Sequence, residues 1–148
     1  LTAKRICSKL KKEGMKIVFT NGSFDILHAG HIQLLEESQK MGDFLIVGLN
    51  SDASVSKLKG KERPVNRQEA RIKVLEAIEA VDLIVVFDQE TPVDLIEVIM
   101  PDILVKGGDY RKEDVVGGDM AKEVRIIPLV NGYSTTGIIN KIGRTNEK

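Results

Sequence analysis

The chain has 148 residues, 42% of them hydrophobic and 30% charged, with 22 basic and 22 acidic side chains. That length suits one well-cored domain over residues 1–148 and is too short for two ordinary ones. Zero net charge gives no support for a nucleic-acid or membrane surface, no apolar run approaches the ~18 residues of a membrane span, and the single Cys7 excludes an internal disulfide and fits a reducing, cytoplasmic setting.

Thr2 to Glu13 reads as a short amphipathic helix with Ile6 and Leu10 four apart, stopped by Gly14. Lys16 to Thr20 is a first strand whose unbroken apolar run suits burial on both faces, as in parallel sheets. A loop over 21–29 leads to a helix from about Gly30 to Met41, closed by Gly42. Phe44 to Leu49 is a second apolar strand, and Asn50 to Arg63 is polar, Lys-rich and loop-like. Asn66, with Glu69 three residues on, predicts a capping box for a helix to about Ala80, with Val74, Leu75, Ile78 and Val81 on one stripe. Leu83 to Phe87 is a third strand. Thr91-Pro92 caps a helix over Val93 to Met100, and Pro101 ends it. Ile103 to Lys106 is a fourth strand. Residues 111–122 suggest short helical turns, and Val124 to Pro128 a fifth strand. A turn over 132–136 precedes a last helix, Thr136 to Ile142, and a polar tail over 143–148.

Strands alternating with helices predict an α/β fold: one doubly wound, Rossmann-like domain with a five-stranded parallel sheet. In such sheets ligands lie beyond the carboxyl ends of the strands, where the strand order reverses. The loops after the first and fourth strands are therefore expected to be neighbours.

The first of those loops holds both histidines of the chain, in Thr20-Asn21-Gly22-Ser23-Phe24-Asp25-Ile26-Leu27-His28-Ala29-Gly30-His31. Three residues apart across a helix start, His28 and His31 can point the same way. A helix N-terminus already offers free N–H groups and a positive dipole end, and Gly22 and Gly30 allow close backbone approach to a ligand. Together these form a donor cluster for phosphate oxygens, suited to phosphoryl or nucleotidyl transfer. A loop histidine and a helix-surface histidine would be the plain alternative. His28 and His31 with Asp25 are also a sparse zinc pattern, but there is no third histidine and the only cysteine is remote, so no metal site is expected. No G-x-x-x-x-G-K-[ST] and no G-x-G-x-x-G follows the first strand, which sets aside P-loop and dinucleotide fingerprints.

His28-Ala29-Gly30-His31 resembles the HxGH signature of the HIGH-type, cytidylyltransferase-like nucleotidyltransferases. Gly48-Leu49-Asn50-Ser51-Asp52, Leu58-Lys59-Gly60, Arg63-Pro64-Val65-Asn66, Val105-Lys106-Gly107-Gly108-Asp109-Tyr110 and Gly132-Tyr133-Ser134-Thr135-Thr136 extend the likeness over most of the chain. The whole set most closely resembles the heptose 1-phosphate adenylyltransferases, which occur alone or as the C-terminal domain of a bifunctional heptose kinase/adenylyltransferase.

The resemblance implies transfer of AMP from ATP, with Mg²⁺, to D-glycero-D-manno-heptose 1-phosphate, giving ADP-heptose and pyrophosphate for lipopolysaccharide core precursors. It implies in-line displacement without a covalent enzyme intermediate. The catalytic groups it assigns are His28, His31 and Lys59. The nucleotide would be met by Thr20, Asn21, Gly22, Phe24, Asp25 and Gly30, by Lys106, Gly107, Gly108 and Asp109, and by Ser134, Thr135 and Thr136 at the start of the last helix. Lys57, Arg63 and Arg71 would meet substrate or phosphate; Arg71 matches a family arginine near the substrates, and Arg63 and Arg67 are weaker candidates. Each of these lysines and arginines could equally be solvated surface. Related cytidylyltransferases carry an arginine near position 129, where this chain has Leu129, which speaks against cytidylyl transfer to a polyol or amino-alcohol phosphate. A non-catalytic nucleotide-binding module is the remaining alternative. A homodimer and fusion to a sugar kinase domain follow from the resemblance alone, and the start at Leu1 fits an excised or processed domain. Asn21-Gly22-Ser23 is formally a glycosylation sequon, taken as chance.

Overall fold

The computed structural model describes residues 2–146. Its sheet is built from β1 (Ile17–Gly22), β2 (Phe44–Asn50), β3 (Leu83–Phe87), β4 (Ile103–Gly107) and β5 (Glu123–Ile127). All four strand pairings are parallel and the spatial order is β3-β2-β1-β4-β5. The helices are α1 (Ala3–Lys12), α2 (Ala29–Gln39), α3 (Asp52–Lys59), α4 (Gln68–Glu76), α5 (Val93–Ile99) and α6 (Thr135–Asn146), with 3₁₀ turns at Lys112–Asp114 and Gly118–Met120.

The strand pleat sorts the apolar residues into two layers. Val18, Leu45, Val47, Leu49, Ile103 and Val105 pack with Leu35 of α2 and Leu75 of α4 on one face. Ile17, Phe19, Ile46 and Leu104 pack with Cys7 of α1 and with Ile96 and Ile99 of α5 on the other. Because both faces are covered, the strands read as unbroken apolar runs rather than alternating ones. Gly48 lies where a Cβ would come within 2.7 Å of Phe19 Cζ, so the glycine lets that ring lie flat against β2.

Several expectations need correction. The segment 50–63 is not a loop: Ser51 caps α3 by accepting the Ser54 N–H, Asp52 and the two lysines suit its dipole ends, and Ser54 and Val55 are buried. The strong N-cap residue, hidden among lysines, was the missed signal. Asn66 is not the cap of α4. Arg67 holds that position without a side-chain bond, because Asn66 donates its N–H to Asp25 and offers its carbonyl to Arg71. That helix stops at Glu76, and Val74 of the predicted stripe is exposed while Arg71 is buried. Pro92, not Thr91, occupies the N-cap of α5. Strand β1 runs on through Asn21 and Gly22, and α6 runs to Asn146, so most of the expected polar tail is helical. Residues 147 and 148 of that tail lie outside the described residues.

Among the described residues no helix is long and apolar enough to cross a membrane.

Candidate active site

The strand order reverses between β1 and β4, which places the two expected loops side by side. A cleft of about 300 Å³ opens there, within the range of small-ligand sites.

Both histidines stand at the start of α2 and form a reciprocal capping box. His28 is the N-cap residue, and its Nδ1 accepts the Gly30 N–H at 3.1 Å. His31 reaches back, and its Nδ1 accepts the His28 N–H at 3.2 Å. Two free N–H groups of the helix start are thereby satisfied, as Ser and Glu do in the usual form of the motif. With both Nδ1 atoms accepting, the proton of each neutral ring sits on Nε2. The rings stack at 3.8 Å, and Phe24 lies 5.3 Å from His31. Gly30 is required for this fold-back, since a Cβ there would meet His28 Cε1 at 2.9 Å. Its role is to make room for the ring as much as for a ligand.

Burial holds both imidazoles neutral. The His28 pKa is lowered by desolvation. The His31 pKa is pushed down to about 4, first by desolvation, then by His28 and Lys59, with Asp25 opposing. In the unfolded chain the ring titrates near ~6.5. Between those values the unfolded chain binds the extra proton, so stability is complete above ~6.5 and falls as pH drops towards 4. The urea midpoint is expected to fall more steeply from pH 7 to pH 4.5 in the wild type than in His31→Asn. Parallel declines would place the acid sensitivity elsewhere.

Asp25 anchors the loop. It is 1% exposed, and its two oxygens accept the N–H groups of Val65 at 2.6 Å and Asn66 at 2.9 Å. Phe24 and Ile26 on either side have positive φ, 48° and 51°, a strained setting that surrounding contacts must hold. Thr135 helps by donating its hydroxyl to the Asp25 carbonyl at 2.6 Å. Ser134 Oγ accepts the Gly137 N–H at 2.9 Å and so caps α6.

The structure brings most of the expected residues together. Asn21, Gly22, Phe24, Asp25, His28, Gly30, His31, Lys59, Lys106, Gly107, Ser134, Thr135 and Thr136 all line the cleft. Lys59 is partly solvated, but desolvation and then Arg63 hold its pKa below the usual lysine value. Thr20 lies beneath the cleft, buried, donating its hydroxyl to the Val105 carbonyl across the β1–β4 seam. Gly108 and Asp109 fall outside the lining, Asp109 facing solvent. Lys57 and Arg67 are exposed, and Arg63, largely buried, falls outside the lining. Arg71 is 2% exposed and wholly engaged inside the protein. It donates to the carbonyls of Asn66, Ser23 and Asn50 and to the Asp52 carboxylate. It ties together the loop after β1, the end of β2 and the starts of α3 and α4.

Sequence reasoning missed an apolar wall formed by Ile127, Pro128, Leu129 and Val130, with Tyr133 beside His28 at a ring-centroid distance of 6.3 Å. Leu129 is 66% and Tyr133 49% exposed. An apolar run continuing past the end of a predicted strand was the available signal. The cleft thus has a polar end of N–H and Nε2–H donors and an apolar end beyond β5.

Among the described residues no group of three or more His, Cys, Asp or Glu side chains could hold a metal ion. Asp25, the one carboxylate in the cleft lining, already has both oxygens engaged. Among the described residues the cleft lining therefore offers Mg²⁺ no free carboxylate. Magnesium bound to a nucleotide triphosphate relies mainly on phosphate oxygens and water.

A family model described as cytidylyltransferase-like matches residues 19–141. The chain is 57% identical over 138 residues to the bifunctional protein HldE of Wolinella succinogenes, covering 93% of this chain and 29% of that protein. It is 55% identical over 137 residues to HldE of a Nitratiruptor species, covering 93% and 30%. The chain thus spans less than a third of the length of these relatives. Its fold matches the crystal structure of the lipopolysaccharide core biosynthesis protein from Thermoplasma volcanium at a TM-score of 0.66 and 28% identity, covering 82% of this chain and 100% of that one.

Proposed function

The chain belongs to the cytidylyltransferase-like family of nucleotidyltransferases, and from that premise we propose that it transfers AMP from MgATP to D-glycero-D-manno-heptose 1-phosphate, releasing pyrophosphate. The observation that carries the reading is the stacked histidine pair, with Nδ1 atoms committed to the backbone and Nε2–H groups left for a ligand. The likeness to heptose 1-phosphate adenylyltransferases over most of the chain supplies the acceptor, and the HldE relatives agree with it.

In this reading an oxygen of the sugar phosphate attacks the α-phosphorus of ATP. The new P–O bond forms as the bond to the β-phosphate oxygen breaks, and pyrophosphate leaves with that electron pair. Such transfer relies on positioning and charge stabilisation rather than on a protein nucleophile. His28 and His31 donate from Nε2 to phosphate oxygens, and the approaching anion favours their protonated forms. Lys59 neutralises charge on the phosphates, and Ser134 and Thr136, at the start of α6, border the nucleotide. The apolar wall at Leu129 offers a purine a face to lie on. A sugar kinase, within the same polypeptide or apart from it, would supply the acceptor.

The test incubates the protein with MgATP or MgCTP and heptose 1-phosphate, glycerol 3-phosphate or a phosphorylated amino alcohol, and measures pyrophosphate. Turnover is expected only with ATP and the heptose phosphate. CTP-dependent turnover without ATP turnover would sink the assignment, and ATP binding with no pyrophosphate from any acceptor would favour a non-catalytic module.

A further inference from the structure

Arg63 is a buried cation with too few partners. It lies between α3 and α4 with its side chain 15% exposed, and its Nε and Nη2 atoms are shielded from solvent without a hydrogen-bond acceptor. The nearest carboxylate is Asp25, 3.9 Å from Nε, beyond hydrogen-bond reach. Asp25 is held in place by the Val65 and Asn66 N–H groups. Buried guanidinium groups normally find acceptors, and an orphaned one calls for a physical reason.

The neighbourhood carries excess positive charge. Lys59 feels the charges of Arg63, Asp25 and Arg71, Asp25 lies 3.9 Å from Arg63, and Arg71 is paired with Asp52 at 2.8 Å. Three cations against two carboxylates leave one positive charge uncompensated, and it falls on Lys59 and Arg63. Arg63 is fixed at its backbone: its carbonyl accepts the Ser56 hydroxyl at 2.6 Å and its N–H reaches the Gly60 carbonyl at 3.1 Å. Only its side chain is left to move, and the cleft-lining Lys59 is its neighbour.

We propose that Arg63, together with Lys59, is the receptor for a phosphate monoester dianion, the phosphate of the acceptor substrate, and that the guanidinium turns from Asp25 to this phosphate on binding. The identity of the monoester rests on the transfer reading above; the anion site itself does not. A phosphate supplies what Arg63 lacks: paired oxygen acceptors in the fork geometry of a guanidinium, and negative charge. The histidines and Ser134 stand at the starts of α2 and α6, whereas Arg63 and Lys59 come from the α3–α4 side. Two separate donor groups suit two separate phosphates, as in-line displacement between a triphosphate and a monoester requires.

The test compares wild type, Arg63→Met and Arg63→Lys in two measurements. Inorganic phosphate is titrated by NMR or calorimetry, and the KM for heptose 1-phosphate is measured at saturating MgATP alongside the Kd for ATP. Arg63→Met is expected to weaken phosphate binding and raise the acceptor KM at least about tenfold, with Arg63→Lys between. ATP affinity stays within roughly twofold, and the urea midpoint does not fall, because the buried Nε and Nη2 of the native guanidinium have no hydrogen-bond acceptor to lose. A parallel loss of ATP affinity would overturn the proposal by assigning Arg63 to the triphosphate. An unchanged KM with a lowered urea midpoint would overturn it by making Arg63 a structural counter-ion of Asp25. If the wild type turns over no sugar phosphate, the transfer reading fails, and the phosphate titration still decides the site: lost binding in Arg63→Met upholds it and retained binding overturns it.

Discussion

His31→Asn is expected to lower turnover by about 10²–10³-fold in a protein that folds normally. The two nitrogens of this ring do different work. Nδ1 accepts the His28 N–H at 3.2 Å and closes the helix start. In the proposed transfer Nε2 donates to a phosphate oxygen. An asparagine can place its side-chain oxygen near the former Nδ1 position and keep the cap, but nothing then occupies the place of Nε2. A loss of kcat without a comparable loss of stability is therefore the signature of the Nε2–H donor. His31→Ala removes both functions, so it is expected to lose turnover and also about 1 kcal/mol or more of stability through the broken cap. Steady-state kinetics with thermal or urea unfolding of both variants separates the roles. Near-normal turnover of a folded His31→Asn protein would remove this histidine from the chemistry.

Arg71→Met is expected to destabilise the fold by about 2–3 kcal/mol, which for a domain of this size lowers Tm by roughly 5–10 °C. The guanidinium sits 2% exposed among four acceptors. Its Nη1 bridges the carbonyls of Ser23 at 2.8 Å and Asn50 at 2.7 Å, Nε donates to Asn66 at 3.0 Å, and Nη2 to Asp52 at 2.8 Å. These acceptors belong to the loop after β1, the end of β2, the start of α3 and the approach to α4. Methionine matches the stem and leaves three carbonyls, that of Asn50 buried, and a carboxylate without their donor. Arg71→Lys keeps the charge but can satisfy only part of this planar set. If Arg71→Met unfolds at the wild-type urea midpoint while acceptor KM rises, Arg71 meets substrate instead of bracing the loops.

Arg71 and Arg63 differ in a way that no single residue's identity carries. In the sequence both are basic residues near the start of a helix, and the resemblance implies a substrate or phosphate contact for both. One is fully satisfied inside the protein and the other has donors to spare. Pattern and composition do not carry that difference, because it depends on which carbonyls the fold aims at each guanidinium. The α3 segment failed for another reason. Its apolar content is low, and its one deeply buried apolar side chain, Val55, leaves no periodic stripe to detect.

The sequence by itself determined the strand-helix alternation, the parallel sheet, the place of the cleft beyond β1 and β4, and the pairing of His28 with His31. These follow from local periodicity, from the apolar runs that two-sided burial demands, and from a spacing of three across a helix start. Only the tertiary structure decided the tautomer of the histidines, the engagement of Asp25 with the Val65-Asn66 backbone, the apolar wall beyond β5, and the separate fates of the two arginines. Each of those depends on a contact between segments far apart in the chain. Val65 and Asp25 are 40 residues apart and Thr135 and Asp25 are 110 apart, distances over which no local pattern carries information about the partner.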